Sequence, residues 1–376
     1  MLETPALLLD EARMQRNIER MQTRVNGLGV AFRPHVKTSK CWQVVKRQME
    51  AGAQAITVST LKEAEEFFAA GVNDILYAVA MAPNKINHAL QLVRQGCALK
   101  AVVDSVAAAQ ALVQACAQSQ ITLPTLIEVD SDGHRSGIRP GDAALLDVGQ
   151  VLQHGGLLAG VMTHAGASYD LNTPQALHAI AAQERDAVVS CANTLRRAGL
   201  PCPVVSVGST PTALSATDLN GVTEVRAGVY VFFDLVMAGI GVCAQEDIAL
   251  SVLTSVIGHQ QDKGWIIVDA GWMAMSRDRG TQKQTVDHGY GAIYSAQGTP
   301  LPGLWMSSAN QEHGIVSPRN LAASSSIPAD LVKCYPVGTL LRILPNHACA
   351  TAAQHGAYHL MRGGAPLEVW PRFSGW

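Results

Sequence analysis

The sequence is short of the features that mark several large classes of protein. Charged residues make up only 15% of its 376 residues, the net charge is −2, and no basic block occurs. This balance argues against nucleic acid or an anionic membrane as the main partner. No apolar run reaches membrane-spanning length, and no basic segment followed by an apolar one opens the chain. We therefore expect a cytoplasmic protein without a membrane segment.

Paired cysteines are also missing. The eight cysteines are scattered, and none has the CxxC spacing of zinc ribbons and redox motifs. A chain of this length can bury a substantial core and does not need disulfides to stabilise it. We expect the cysteines to be mostly reduced thiols.

A regular alternation of short apolar runs and amphipathic stretches fills the first part of the chain. Eight strands over about 200 residues are typical of a parallel (β/α)8 barrel. A doubly wound open sheet is the alternative, but the Gly-rich dinucleotide turn after its first strand is missing. The predicted strands span residues 29–36, 55–58, 74–78, 99–103, 125–129, 158–163, 203–207 and 222–226. The predicted helices include residues 60–70, 85–95, 105–119 and 173–198.

The pattern changes towards the carboxyl terminus, where strand-like runs occur with little helical periodicity. These runs span residues 248–257, 264–269, 339–344 and 367–370. We predict an α/β protein in which a barrel over residues 10–240 is followed by a mainly β domain. That domain comprises residues 241–376 and an N-terminal strand within residues 1–9.

Lys37 follows the first predicted barrel strand, in the segment Arg33–Thr38 (RPHVKT). Taken alone, it fits a solvated strand end, because lysine is normally exposed. In a barrel, however, the loops after strands seven and eight often bind phosphate. Here they contain Gly208-Ser209-Thr210, with unused backbone N–H groups and two hydroxyls, together with Gly228 and the phenol of Tyr230. These groups suit a phosphate monoester. A helix cap is the alternative for the Ser/Thr pair.

A lysine and a phosphate site on one barrel rim are the two anchors of pyridoxal 5′-phosphate bound as a Schiff base. Arg135 would then stabilise the charge of the phenolic oxygen, and His164 would pack on the pyridine face. The alternatives are a surface arginine and a hydrogen-bonded core histidine. Asp130 and Asp132 carry no specific signal and could equally form a turn.

His347 and Cys349 form a second group of candidate residues. On a strand, residues two apart point to the same face, and imidazole plus thiolate select a borderline-soft ion such as Zn²⁺. Two protein ligands leave positions open for water or substrate, which is typical of a catalytic metal site. A small buried cysteine without a metal is the alternative.

Five motifs together resemble the D-serine dehydratase and D-threonine aldolase family, the metal-activated branch of the alanine-racemase-like, fold-type III pyridoxal enzymes. Residues 132–137, 224–230 and 307–314 point to the hydroxyaspartate-degrading members of that family. The five motifs are Thr4–Ala6, Arg33–Thr38, Gly208–Pro211, Gln311–Gly314 and His347–Thr351.

The resemblance implies a role for each matched residue. Lys37, and not Lys40, would bind pyridoxal phosphate covalently. His347 and Cys349 would hold the metal, with Zn²⁺ expected first and Mn²⁺ or Co²⁺ as alternatives. The ring region would be contacted by Arg135 and Tyr169, and the phosphate by Gly208, Ser209, Thr210, Gly228 and Tyr230. The resemblance also implies a homodimer.

The resemblance further implies a dehydratase that acts on a small D-3-hydroxy amino acid, with D-threo-3-hydroxyaspartate expected as substrate. Family aldolases tend to have Asp in place of Cys349, which favours dehydration over retro-aldol cleavage. D-serine dehydration, D-threonine aldolase-type cleavage and a non-catalytic pyridoxal-phosphate protein are the alternatives. Three residues could bind the second carboxylate of the substrate, namely Arg277, Arg279 and His134.

Overall fold

A computed structural model describes residues 2–319, 330–362 and 365–376. The chain divides into two compact units, which we call the barrel unit and the β unit. The barrel unit comprises Ile18–Gly228 and Gly375–Trp376. The β unit comprises Met1–Asn17 and Val229–Ser374. The chain enters through strand β1 (Ala6–Asp10), as predicted, and helix α1 (Glu11–Gly27).

Eight parallel strands form the sheet of the barrel unit, in the order β2-β9-β8-β7-β6-β5-β4-β3. Its ends meet because Val36 N–H donates to the carbonyl oxygen of Thr57 at 2.9 Å, beside a parallel bridge between His35 and Thr57. The predicted closed barrel is therefore confirmed, and the open sheet is excluded. The strands are β2 (Ala31–Pro34), β3 (Ile56–Val58), β4 (Asp74–Ala80), β5 (Ala98–Val103), β6 (Thr125–Val129), β7 (Leu158–Thr163), β8 (Val204–Val207) and β9 (Glu224–Ala227).

Side-chain caps explain where several barrel helices begin. The hydroxyls of Thr60, Ser105 and Thr173 each accept a hydrogen bond from the backbone N–H three residues later. Such caps satisfy an N–H group that has no partner inside the helix. The helices are α2 (Trp42–Glu50), α3 (Leu61–Ala69), α4 (Ile86–Arg94), α5 (Val106–Ser119), α6 (Ala144–His154), α7 (Pro174–Arg197) and α8 (Thr210–Ser215).

Packing of apolar side chains across neighbouring strands stabilises the barrel. Leu76, Val102, Leu126 and Met162 form one buried cluster, contributed by β4 to β7 in turn. Truncation of such a side chain to Ala costs about 2–5 kcal/mol, because it leaves a cavity. This cluster forms one part of the packed barrel core. Buried polar side chains also lie on the strands, where Arg33 and Ser206 both donate to the carboxylate of Glu224.

A mixed nine-stranded sheet dominates the described part of the β unit, in the order β11-β14-β13-β12-β15-β10-β1-β16-β17. Strand β1 pairs antiparallel with β10 and parallel with β16. The strands are β10 (Leu250–Gln260), β11 (Trp265–Val268), β12 (Gly291–Ser295), β13 (Pro300–Ala309), β14 (Gly314–Pro318), β15 (Leu340–Pro345), β16 (Ala357–Arg362) and β17 (Ala365–Pro371). The helices are α9 (Leu235–Gly239), α10 (Trp272–Met275), α11 (Leu331–Cys334) and α12 (Ala348–Ala352).

In the described part of the chain, no disulfide joins the eight cysteines. Among the described helices, none combines the length and the apolar character that crossing a bilayer requires.

Candidate active site

Lys37 lies just after β2, at the carboxyl end of the barrel strands, where barrels carry their chemistry. Its side chain is exposed, and it makes no hydrogen bond or ion pair with any other residue that the structure describes. The segment around it is fixed, because His35 N–H donates to Ala227 at 2.8 Å and Lys40 N–H donates to Val36 at 2.9 Å. The backbone of Lys37 is therefore fixed at the rim, and its amine is accessible for covalent chemistry.

Lys40 has a different environment. Its Nζ lies 3.1 Å from Oε1 of Glu63, and only 16% of the Lys40 side chain is exposed while the Glu63 side chain is fully buried. The other carboxylate oxygen of Glu63 accepts from Ser59 N–H at 3.0 Å. Lys40 therefore neutralises a buried acid at the start of α3, which is a structural role.

His164 follows β7 and is held as a neutral imidazole. Its Nδ1 is 2.6 Å from the carbonyl oxygen of Gly208, so Nδ1 carries the proton and Nε2 remains an acceptor. Burial, together with the positive charge of Arg135, lowers the pKa of His164 to about 3. The Tyr169 ring lies near it, with 6.1 Å between the two ring centroids. The sequence predicts both residues in the same ring-binding region.

His35 is a neighbour of this group that sequence reasoning did not assign. Burial lowers the pKa of His35 well below its ordinary value, and the charges of Lys37 and Arg226 lower it further. Its Nδ1 is buried and has no hydrogen-bond partner among the described residues. An unsatisfied buried nitrogen in a cationic setting is typical of a functional site.

Arg135 projects from the loop after β6. Almost half of its side chain, 48%, is exposed, and its guanidinium lies 3.6 Å from Glu128 Oε1. Burial raises the pKa of Glu128, although the charge of Arg135 opposes that shift. Arg135 is thus available to an anionic group at the rim.

The loop after β8 differs from its prediction in one respect. Gly208 N–H donates to Glu184 Oε1 at 3.2 Å, and Ser209 N–H donates to Thr212 Oγ1 at 3.1 Å. The expectation of unused N–H groups at these two residues is therefore wrong. Ser209 caps α8, since its hydroxyl accepts from Thr212 N–H at 3.2 Å. The assignment of Gly208, Ser209 and Thr210 to a phosphate remains a prediction.

Two glycines near this loop are required by close backbone approach. A Cβ on Gly208, whose φ is +145°, would lie 1.8 Å from the carbonyl oxygen of Arg226. A Cβ on Gly228 would lie 3.0 Å from the carbonyl oxygen of His35 and 3.1 Å from Thr38 Oγ1. Side chains are thus kept away from the segment that carries Lys37. Tyr230 follows Gly228 along the chain and is buried in a 3₁₀ turn of the β unit.

The barrel rim fits pyridoxal phosphate in the chemistry of its groups. It offers an accessible amine at Lys37 and an exposed cation at Arg135, while the histidines at 35 and 164 are held neutral. An anionic cofactor with an aldehyde would complement that set. Glycine at positions 208 and 228 allows these loops to pack closely against the backbone of Arg226 and His35.

In the β unit, His347 and Cys349 lie at a helix start instead of on the predicted strand. Strand β15 ends at Pro345, and His347 is the N-cap residue of α12. The prediction of a strand here is wrong because Ala348 N–H donates to the buried carboxylate of Asp234 at 2.9 Å, which begins the helix. Thr351 fixes the next turn by donating its hydroxyl hydrogen to the Met275 carbonyl oxygen at 2.6 Å.

Asp278 is a partner of His347 that sequence reasoning missed. His347 Nδ1 lies 2.6 Å from Asp278 Oδ2, across 69 residues of sequence. Burial alone would lower the pKa of His347, but its hydrogen bonds with Asp278 and Cys349 raise it to about 11. This anionic setting suits a cation, which would replace the proton on the imidazole. In the described part of the chain, no cluster joins three or more His, Cys, Asp or Glu side chains in a metal-binding arrangement.

The three candidates for the substrate's second carboxylate differ in the structure. Arg279 is paired with Asp287, at 3.0 Å. His134 is exposed, and its ring packs against Gly166, where a Cβ would lie 2.4 Å from it. Arg277 is exposed, has its guanidinium carbon 4.8 Å from the Trp272 ring centroid, and pairs with no acid among the described residues.

The acidic loop after β6 forms a turn, which was one of the two alternatives for it. Asp130 Oδ1 accepts from Gly133 N–H at 2.7 Å, and Asp132 Oδ2 accepts from Ala167 N–H at 2.8 Å. These carboxylates shape the loop that carries Arg135.

An eight-stranded parallel barrel with a lysine after its first strand, accompanied by a β unit, is the alanine-racemase-like fold. Residues 9–236 match the family model described as alanine racemase, N-terminal domain, and residues 249–361 match the putative serine dehydratase domain. The first match covers more than half of the chain, so the chain belongs to the alanine-racemase-like family, in the branch that carries the serine dehydratase domain. Pyridoxal phosphate is the cofactor that fits this fold-type III family.

Within that family, the chain is similar to D-threo-3-hydroxyaspartate dehydratase of Delftia sp. strain HT23, with 59% identity covering 100% of this chain and 98% of the relative. It is 29% identical to D-serine dehydratase of Dictyostelium discoideum, covering 96% of this chain and 93% of the relative. It is 28% identical to D-threonine aldolase of an Arthrobacter species, covering 98% and 92%. The motif resemblance is thereby confirmed.

The solved structure of the Delftia enzyme superposes on this chain with a TM-score of 0.97, covering 100% of this chain and 99% of the other. Two variants of that enzyme superpose equally well, one with a cysteine replaced by alanine in the metal-free form and one with a histidine replaced by alanine.

Proposed function

We propose that this chain is a dehydratase, a carbon–oxygen lyase that depends on pyridoxal phosphate and a divalent metal. Its expected substrate is D-threo-3-hydroxyaspartate, and its products are oxaloacetate and ammonia. The observation that carries the proposal is the accessible, unpaired amine of Lys37 at the end of β2. The 59% identity to an enzyme named for that substrate, over the full chain, supports the choice of reaction.

The barrel unit supplies most of the residues that would hold pyridoxal phosphate. Lys37 would bind its aldehyde covalently, and Arg135 would balance negative charge near its ring. When bound, the cofactor supplies an acceptor for the negative charge that develops at the substrate Cα. The remaining residues of this set are His164 and Tyr169 for the ring and Gly208, Ser209, Thr210, Gly228 and Tyr230 for the phosphate.

Lys37 would also move the proton. Lys37 Nζ would take the proton from the substrate Cα. An amine can act as a base only when it is not held in an ion pair. Lys40 is excluded from this role by its ion pair with Glu63. His164 is poorly suited to take this proton, because its pKa is held at about 3.

His347 and Cys349 would hold the metal through imidazole Nε2 and thiolate, with Zn²⁺ expected first and Mn²⁺ or Co²⁺ as alternatives. Hydroxide is a poor leaving group, and a metal ion supplies Lewis-acid assistance to its departure. The two residues replaced in the Delftia variants are a histidine and a cysteine two positions apart, the spacing of His347 and Cys349. The metal-free form of the cysteine variant supports the same role here.

Arg277 is the residue that we propose for the second carboxylate of the substrate. It is exposed, its guanidinium stacks on Trp272, and it precedes Asp278, the partner of His347. A guanidinium with no acidic partner retains its full capacity for bidentate carboxylate binding. Its place in the chain puts it beside the metal-binding part of the β unit.

The overall reaction balances without an oxidant or reductant. Loss of the Cα proton and the β-hydroxyl releases one water and leaves an enamine, which tautomerises to an imine. One water then hydrolyses the imine to oxaloacetate and ammonia. Catalysis therefore requires a base, an electron acceptor and help for the leaving hydroxyl, which are the three functions assigned above.

An assay of the purified protein tests the proposal. D-threo-3-hydroxyaspartate, D-serine and D-threonine are supplied separately, with and without EDTA, and oxo acid, ammonia and glycine are measured. We expect oxaloacetate and ammonia from the first substrate in an EDTA-sensitive reaction. Pyruvate from D-serine as the main product would indicate a D-serine dehydratase instead. Glycine and an aldehyde from any substrate would indicate an aldolase.

A homodimer and a cytoplasmic location complete the proposal. The family resemblance supports the homodimer. The lack of disulfides among the described cysteines supports the cytoplasmic location. Light scattering of the eluting protein during size-exclusion chromatography tests the first, with twice the 39.8 kDa chain mass expected.

A further inference from the structure

Both oxygens of the Asp278 carboxylate accept hydrogen bonds. Its Oδ2 lies 2.6 Å from His347 Nδ1, and its Oδ1 accepts from Gly280 N–H at 2.8 Å. A carboxylate has no proton to give, so His347 Nδ1 is the donor in this pair. The imidazole is thereby fixed with Nε2 as the nitrogen that can bind a metal.

The backbone around Asp278 is held in place from several directions. Asp278 N–H donates to Ser276 Oγ at 3.2 Å, and Asn346 Nδ2 donates to the Asp278 carbonyl oxygen at 3.0 Å. Ser276 has a φ of +83°, which is costly for a residue with a side chain and persists only where its surroundings enforce it. Asn346 precedes His347, so one side chain ties the segment of Asp278 to that of His347.

We propose that Asp278 is a positioning residue that orients His347 and sets the metal affinity of this chain without binding the metal itself. Both of its oxygens already have donors, and a hydrogen bond from a metal-binding histidine to a carboxylate fixes ring orientation and raises the basicity of the ligand. The inference rests on the metal site of the proposed function.

Metal titration of the full-length protein tests the inference without reference to catalysis. The protein is stripped with EDTA and titrated with ZnCl₂ against a chromogenic chelator. It is then titrated with CoCl₂, whose absorption in contact with a thiolate reports on Cys349. The variants are Asp278→Ala, Asp278→Asn and, as a matched control from the same segment, Asp287→Asn, which removes an acid that pairs with Arg279.

We expect Asp278→Ala to weaken Zn²⁺ binding by about 10–100-fold, the usual effect of removing such a carboxylate. Asp278→Asn should weaken it less, because its amide oxygen still accepts from Nδ1. The Co²⁺–thiolate absorption should reappear in both at higher metal concentration, and Asp287→Asn should bind as the unmodified chain does.

Three results would overturn the inference. Unchanged affinity in Asp278→Ala would show that the carboxylate has no effect on the metal. Loss of binding as complete as in Cys349→Ala would make Asp278 a ligand. An equal loss in Asp287→Asn would indicate general loosening. If Asp278→Ala does not fold, Asp278→Asn decides, with thermal unfolding measured in parallel. A chain that binds metal as expected but forms no oxo acid would contradict only the proposed reaction.

Discussion

The barrel unit and the β unit carry their candidate residues in different ways. In the barrel, Lys37 and His164 follow strands that hydrophobic periodicity already marks. In the β unit, His347 and its partner Asp278 come from two loops that are 69 residues apart and that no periodic pattern connects. A parallel barrel places the ends of its strands on one rim by construction, whereas a mixed sheet with long connections does not. Chemistry in the barrel is thus readable from strand ends, and chemistry in the β unit depends on side-chain contacts.

The largest expected loss of activity comes from replacing Lys37, which belongs to the barrel unit. Lys37→Ala should lower activity by about 10⁴-fold or more, because both the covalent anchor and the base are lost. It should also abolish the visible absorbance of bound pyridoxal phosphate while leaving Zn²⁺ binding intact. Absorbance spectra and rates of oxo acid formation measure this. A variant that retains the absorbance would show that another lysine is the anchor.

Removal of the metal tests the β unit, because it should lower activity without loss of the bound cofactor. EDTA treatment or Cys349→Ala should remove several kcal/mol of transition-state stabilisation, about 10²- to 10⁴-fold in rate. The absorbance of the bound cofactor should persist, since Lys37 belongs to the barrel unit. Added Zn²⁺ should restore the EDTA-treated protein but not the variant. Activity that is indifferent to EDTA would remove the metal from the mechanism.

Particular residues show why the sequence predicts the barrel strands but not the contacts between distant side chains. Each of the eight barrel strands was predicted because a buried strand needs a continuous apolar run. The sequence predicts a strand at His347 and Cys349, because a local pattern does not reveal a distant partner. Asp234, over a hundred residues away, accepts from Ala348 N–H and begins a helix there. The pairing of Lys40 with Glu63 was missed for the same reason. Contacts between distant side chains follow from packing, which periodicity does not encode.

Lys40→Met tests whether Lys40 has a structural role, in contrast to the catalytic role proposed for Lys37. It leaves the fully buried Glu63 carboxylate without its cation, and breaking such a pair costs about 3–5 kcal/mol. Urea unfolding followed by circular dichroism measures the loss. The cofactor absorbance should remain, unlike that of Lys37→Ala. An unchanged free energy of unfolding would mean that solvent already satisfies Glu63.

Arg277→Ala tests substrate choice within the β unit. Loss of a charged hydrogen bond worth about 1.5–3 kcal/mol should reduce kcat/KM for D-threo-3-hydroxyaspartate by about 10–100-fold. D-serine has no second carboxylate, so its kcat/KM should not fall, and Arg277→Lys should recover part of the loss. An equal decrease for both substrates would place Arg277 outside substrate recognition.

The smallest predicted effect is a pH dependence of stability that originates in the barrel. The pKa of His164 is about 3 in the folded chain and about 6.5 when unfolded, so between these values the unfolded chain binds the extra proton. Stability should therefore fall as pH drops below 6.5, by about 1.4 kcal/mol per pH unit for this residue. His164→Asn, which can still donate to the Gly208 carbonyl oxygen, should reduce that slope by one proton in urea titrations between pH 6 and pH 4. The slope that remains should include a contribution from His35, whose pKa is lowered by the same combination of burial and neighbouring cations. A slope unaltered by His164→Asn would mean that His164 is protonated in the folded barrel, and the neutral acceptor assigned to its Nε2 would be lost with it.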